Sequence, residues 1–147
     1  MVRNKHRKRL LLRKVKPDKT GALTIPGGLH IESHELDAAR ILTQYGYNVH
    51  FRPLDVRQGA KNPDVEIAGA VWEIKSPRGS SEKSTIESQF QRSKRQSRRL
   101  ILSLLRCKVH DAKAIHKAEH IFFATPILAE MIIIDKKHRA IYFSTSK

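Results

Sequence analysis

The chain has one cysteine, Cys107, in 147 residues. This excludes an intrachain disulfide and is compatible with a reducing compartment. Acid is scarce: Asp+Glu total 14 against 29 Lys+Arg, a formal net charge of +15. The imbalance says little about fold, but it favours nucleic acid or an anionic surface as partner. No apolar stretch is long enough to span a membrane, and no membrane partner is expected. The basic opening stretch holds only three consecutive leucines, Leu10 to Leu12, too short for a signal-peptide core. There are no repeats and no linker that would mark a second domain, and the length fits one domain. With 39% hydrophobic residues, a modest core is expected.

What the chain does have is order. Residues 1–20 are expected to be a basic arm, poorly ordered in part, before a single domain over 21–147. Leu23 to Ile25 and Leu29 to Ile31 flank Pro26-Gly27-Gly28, as a short hairpin or an irregular lead-in. Ser33 is the expected N-cap of a helix running to about Tyr45, with Ala38, Ile41, Leu42 and Tyr45 as its apolar stripe and Gly46 as its end. Strands follow at about 47–52, 64–68 and 70–75, with a polar loop over 53–62. A long helix is expected from near Ser84 to about Arg99. The apolar run Leu100 to Leu105 reads as a buried strand. Another helix occupies about 111–124. A final hairpin pairs Met131 to Ile134 with Ala140 to Phe143. The alternation of strands and helices implies an α/β sheet with helices on both faces.

The segment from Pro63 to Lys75 carries the chemistry. It reads as two short strands around Ala68-Gly69. Strand side chains alternate faces. Glu73 and Lys75 therefore share a face, and Trp72 and Ile74 take the other. A two-residue loop pairs Ile67 with Ala70, Val65 with Trp72 and Asp64 with Glu73. Directly opposed side chains sit about 5 Å apart, where like charges repel. A divalent cation between Asp64 and Glu73 reverses that penalty. The favoured primed turns require a positive φ at Ala68, where Asn or Asp is more usual.

Asp64 and Glu73 are thus the expected ligands of Mg²⁺, or of Mn²⁺ in its place. Magnesium binds through one or two carboxylates plus substrate phosphate. Lys75 is expected to act on the attacking water or the scissile phosphate. Glu35, at the head of the α-helical stripe, points toward the same site, with Glu32 one turn earlier competing for the role and Glu66 a weaker candidate. Ser88, Arg92, Arg95 and Arg99 fall on one stripe of the long helix, where the three arginines can follow a phosphate backbone. Arg78, with Ser76 and Gly79, lies in a loop after Lys75 that can touch phosphate. Each has an ordinary reading too: solvated strand acids, a glutamate placed by the helix dipole, a solvated basic face. His116 and His120 have a zinc-compatible spacing, but with one cysteine nearby and no fixed loop geometry a zinc site is not expected.

Pro63-Asp64, a short gap, then Glu73-Ile74-Lys75 resembles the motif of the PD-(D/E)xK nuclease superfamily. Glu35 to Leu42 followed by Tyr45 to Val49 resembles the first helix and strand of that fold. The string Glu73-Ile74-Lys75-Ser76-Pro77-Arg78-Gly79 is similar to C-terminal toxin nuclease domains of contact-dependent growth inhibition proteins, several of which cut tRNA. The resemblance runs from about Glu32 to Lys147. It implies a restriction-endonuclease-like mixed sheet flanked by helices. It also implies a catalytic glutamine from the long helix, for which Gln96 is the candidate. The expected activity is metal-dependent endonuclease cleavage of RNA, tRNA first, in the cytoplasm. An acidic immunity protein is the expected partner in the producing cell. A DNA endonuclease of the same fold and a non-catalytic basic nucleic-acid-binding protein are the alternatives.

Overall fold

A computed structural model describes residues 7–54, 57, 64–93 and 97–145, with only the backbone at 92 and 93. Among the described residues the strands are β1 (Arg7–Leu11), β2 (Leu23–Thr24), β3 (Val49–Phe51), β4 (Val65–Ile67), β5 (Ala70–Lys75), β6 (Arg99–Ser103), β7 (Glu130–Ile134) and β8 (Ala140–Thr145). The helices are α1 (Ser33–Thr43), α2 (Thr85–Ser93) and α3 (Asp111–Phe123). The strands form one mixed sheet in the order β1-β8-β7-β6-β5-β4-β3-β2. β5, β6 and β7 run parallel at its centre, and antiparallel pairs flank them.

Alternation along the central strands divides the core. Ile74, Ile101, Ile132 and Ile134 pack with Ala38, Ala39, Ile41 and Leu42 of α1 on one face. Leu100, Leu102, Met131 and Ile133 pack with Ile86 and Phe90 of α2 and Ala114, Ala118 and Phe122 of α3 on the other. This is the expected α/β sheet with helices on both faces, fed by strands that read as nearly continuous apolar runs because both faces are covered.

Four local expectations change. Residues 7–11, within the expected arm, pair with β8 over five positions. Their cations lie over aromatic rings, Arg7 5.1 Å from the Phe123 centroid and Arg9 5.7 Å from that of Phe143, so a basic strand caps an apolar edge. Residues 29–31 form no strand, and β2 instead runs parallel to β3. At α1 the extended residue before the first turn is Glu32, not Ser33, and no side chain caps the helix. The long helix is shorter than expected. α2 ends its described part at Ser93, and Arg99 already lies in β6. Ser97 marks the change: its Oγ donates to Val71 O and accepts from Arg99 N, docking the chain onto β5 as β6 begins.

The β4–β5 hairpin has the expected register, Val65 with Trp72 and Ile67 with Ala70. Ala68 and Gly69 have φ of 51° and 80°, both in the left-handed region. The primed turn is therefore made despite the alanine, which bears the steric cost that Asn or Gly would avoid.

Candidate active site

Glu73 sits on β5, only 3% exposed. In the parallel register it lies beside Leu100, and Lys75 beside Leu102. Lys75 Nζ is 3.0 Å from Glu73 Oε1. Extending the β4–β5 register by one residue sets Asp64 opposite Glu73. The Asp64 carboxylate reaches across the hairpin, where its Oδ2 accepts from Ile74 N at 2.7 Å. Glu35, in the first turn of α1, lines a small pocket of about 150 Å³ together with Asp64, Phe51 and Arg52.

The three carboxylates feel one another. Burial pushes Glu73 up to about 7, the Asp64 charge adds to this, and the Lys75 ammonium works against it. Burial, then the charges of Asp64 and Glu32, push Glu35 up to about 7 as well. Asp64 is also raised by burial, against the pull of the Ile74 N–H and Lys75. Desolvated acids that feel one another's charge titrate as a unit. At neutral pH the cluster therefore exchanges protons readily, and a cation can replace them.

The donor set is all carboxylate oxygen, which suits a hard ion such as Mg²⁺ or Mn²⁺ rather than zinc. Among the described residues, no group of three His, Cys, Asp or Glu side chains forms a ready-made metal cage. Two carboxylates completed by water and a substrate phosphate still meet what Mg²⁺ requires. Asp64 and Glu73 fit that role.

The loop after β5 is tied to the loop after β6. Arg106 donates from Nε to Ser76 Oγ at 3.0 Å and from Nη2 to Ser76 O at 2.6 Å. Lys108 N donates to Gly79 O at 3.0 Å. A side chain at Gly79 would meet Thr85 Oγ1 at 2.4 Å, so the close approach of this loop to α2 requires glycine. The result is a basic group that meets the acids through His34 on α1, 4.0 Å from Glu35: Arg78 in the loop and Arg106 bracing it both act on His34. Burial lowers His34, and the Arg106 and Arg78 charges lower it further. Burial lowers Arg106, and Arg78 adds to it.

Of the residues singled out in the sequence, Glu35, Asp64, Glu73 and Lys75 come together, and Arg78 lies near His34 and Arg106. Glu66 is on β4 beside Val71, and Glu32 is exposed at the start of α1. Gln96 and Arg95 lie outside the described residues, as does the Arg92 side chain. Arg99 is not on the α2 stripe. It lies in β6, where its Nε donates to Glu130 Oε1 at 2.7 Å while Tyr142 Oη donates to Oε2 of the same glutamate. His110 caps α3, its Nδ1 accepting from Ala112 N, and the buried Cys107 Sγ donates to Gly79 O. Sequence reasoning missed Arg106 and His34, which adjoin the site only through tertiary folding. The only local signal was Arg106 at the end of a buried strand.

Fold and site together define a mixed α/β domain with a desolvated acid–lysine cluster on adjoining strands and cations at its margin. The family described as "Contact-dependent growth inhibition CdiA C-terminal domain" matches residues 61–139, more than half of the chain. The chain belongs to that family. It is also similar in fold to a solved chain from the CdiA-CT/CdiI toxin and immunity complex of Burkholderia pseudomallei, with a TM-score of 0.62 and 23% identity over 84% of this chain and 99% of the other. No curated protein sequence matches the chain.

Proposed function

We propose that this toxin domain is a metal-dependent endonuclease that cuts structured RNA, with tRNA as its leading substrate. The observation that carries the reading is the cluster of Glu35, Asp64 and Glu73 with Lys75 Nζ 3.0 Å from Glu73. Asp64 and Glu73 would hold Mg²⁺. The ion, when bound, lowers the pKa of a bound water and neutralises charge on the phosphate. Lys75, held in place by Glu73, contacts the scissile phosphate. Glu35, with its carboxyl near neutrality, takes the proton from the attacking water, as a general base works best near its own pKa. Arg78 and Arg106 receive the adjoining phosphate. Basic surface supplies affinity that does not depend on sequence.

The RNA reading rests on the 73–79 string, the family, and the high charge of a short chain. A folded RNA is recognised by shape and phosphate position. The neighbour's immunity complex supports an acidic inhibitor protein as partner of the basic face. Brief digestion of total RNA and of plasmid, each with Mg²⁺ and with chelator, tests the reading. Northern analysis is expected to show one or two discrete tRNA fragments with Mg²⁺ alone, and intact plasmid at matched enzyme. Degraded plasmid beside surviving tRNA would replace the RNA reading with the DNA one. Cleavage of neither would leave a binding protein.

A further inference from the structure

A second cleft lies away from the acids. It measures about 960 Å³ and lies across the far ends of β6 and β7, between the loop before α3, the β7–β8 turn and β1. Leu11, Ile115 and Ile141 give it an apolar floor. Lys108, Lys137 and Arg139 stand around it with His116, and Arg9, ion-paired with Glu119, edges it.

Its two acids are committed to holding the walls. Asp135, 1% exposed, accepts at Oδ1 from Lys137 N and Arg139 N and at Oδ2 from Arg139 Nε. Asp111 accepts from both Lys136 N and Lys136 Nζ. The braced turn presents Lys137 and Arg139, both exposed. Among the described residues Lys108 Nζ and Lys137 Nζ make no hydrogen bond or ion pair. The N-terminus of α3 is already capped by His110, so the side-chain cations carry the positive field. Lys108 also links this cleft to the acid site, because its N–H holds Gly79 of the loop that carries Arg78. The position is the one where ligands collect in α/β sheets, outside the carboxyl ends of parallel strands.

We propose that this cleft grips a second stretch of phosphate backbone of the RNA, away from the bond being cut. The cations contact phosphate, and the apolar floor takes a sugar or base. The inference rests on the nuclease reading for its ligand, but its test does not depend on cleavage. It explains how so small a chain would position a folded RNA: one contact region at the acids and another across the sheet ends fix orientation, where a single region fixes only proximity.

The test is binding of a tRNA transcript to Glu73→Gln protein by fluorescence anisotropy, from 50 to 300 mM salt. Lys108→Ala/Lys137→Ala is compared with Lys16→Ala/Lys19→Ala, which removes the same charge from exposed positions away from the cleft, after both are shown to melt as the parent does. The cleft pair is expected to weaken binding about tenfold and to flatten the log–log salt slope by about 1.4–1.8, one phosphate contact per lysine at 0.7–0.9 each. The control pair is expected to change the slope by less than half as much. Equal effects from the two pairs, or none from the cleft pair, would overturn the proposal and leave the cleft to a protein partner. Failure of cleavage with the cleft effect intact would overturn the nuclease reading alone. Absence of tRNA binding by the parent would overturn both.

Discussion

Asp135 and Asp64 stand at the ends of strands, and their surroundings differ. Asp135 is saturated: two backbone N–H groups and a guanidinium donate to its carboxylate, and the β7–β8 turn is built on it. Asp64 receives one backbone N–H from Ile74, is raised by burial against the pull of Lys75, and its charge in turn raises Glu73 and Glu35. The same residue type is a brace in one place and an electrostatic liability in the other. The two charged regions follow the same division. In the cleft, acids are spent on structure so that cations face outward. In the small pocket, acids are packed together at a cost in stability that a structural role does not require, which is what perturbed groups at a functional site show.

Paired substitutions separate brace from site. Asp64→Asn keeps an acceptor for Ile74 N and is expected to melt near the parent, while Mg²⁺-dependent cleavage falls about 10³-fold or more. Asp135→Ala is expected to do the reverse. Loss of its charged hydrogen bonds costs about 2–3 kcal/mol, read by urea denaturation, while cleavage per folded molecule stays within a few-fold of the parent. Swapped outcomes would mean that the two aspartates have been assigned the wrong way round.

The pH dependence sharpens the contrast. Glu35 and Glu73 are raised from an ordinary 4.5 to about 7. Between those values the folded chain holds protons that the unfolded chain has released, so these groups lower stability as pH rises through the window, and the loss levels off above about 7. Thermal melts from pH 5 to 8 without Mg²⁺ are expected to fall more for the parent than for Glu73→Gln. Mg²⁺ displaces the protons, so its stabilisation is expected to be larger at pH 8 than at pH 5.5. Equal Mg²⁺ effects at both would detach the ion from these carboxylates.

The smallest effect belongs to the hairpin that aligns the acids. Ala68 holds a φ of 51°. Ala68→Asn is expected to gain about 0.5 kcal/mol by easing a left-handed backbone, with cleavage unchanged. A loss of stability would show that the turn is not strained.

Much of the acid site was legible because it is local. Period-two alternation and a two-residue turn are enough to align Val65 with Trp72 and hence Asp64 with Glu73. The limits of α2 were not legible. Basic residues up to Arg99 continue a helical pattern in the sequence, whereas Ser97 docks onto Val71 and Arg99 lies in β6. β1 was hidden for a related reason: a basic stretch reads as a solvated arm until Phe123 and Phe143 lie beneath it. Arg106 and the cleft depend on loops from distant parts of the chain meeting at the sheet ends, and no spacing in the sequence encodes that.

The Glu35–Asp64–Glu73 cluster with Lys75, proposed as a metal-dependent cutting centre, is tested by cleavage of a tRNA transcript by parent and Glu73→Gln proteins, each verified as folded, with Mg²⁺ and with chelator. Discrete fragments are expected from the parent with Mg²⁺, none with chelator, and about 10³-fold or more slower cleavage by Glu73→Gln. Cleavage by Glu73→Gln within tenfold of the parent, or cleavage that persists in chelator, would contradict that role.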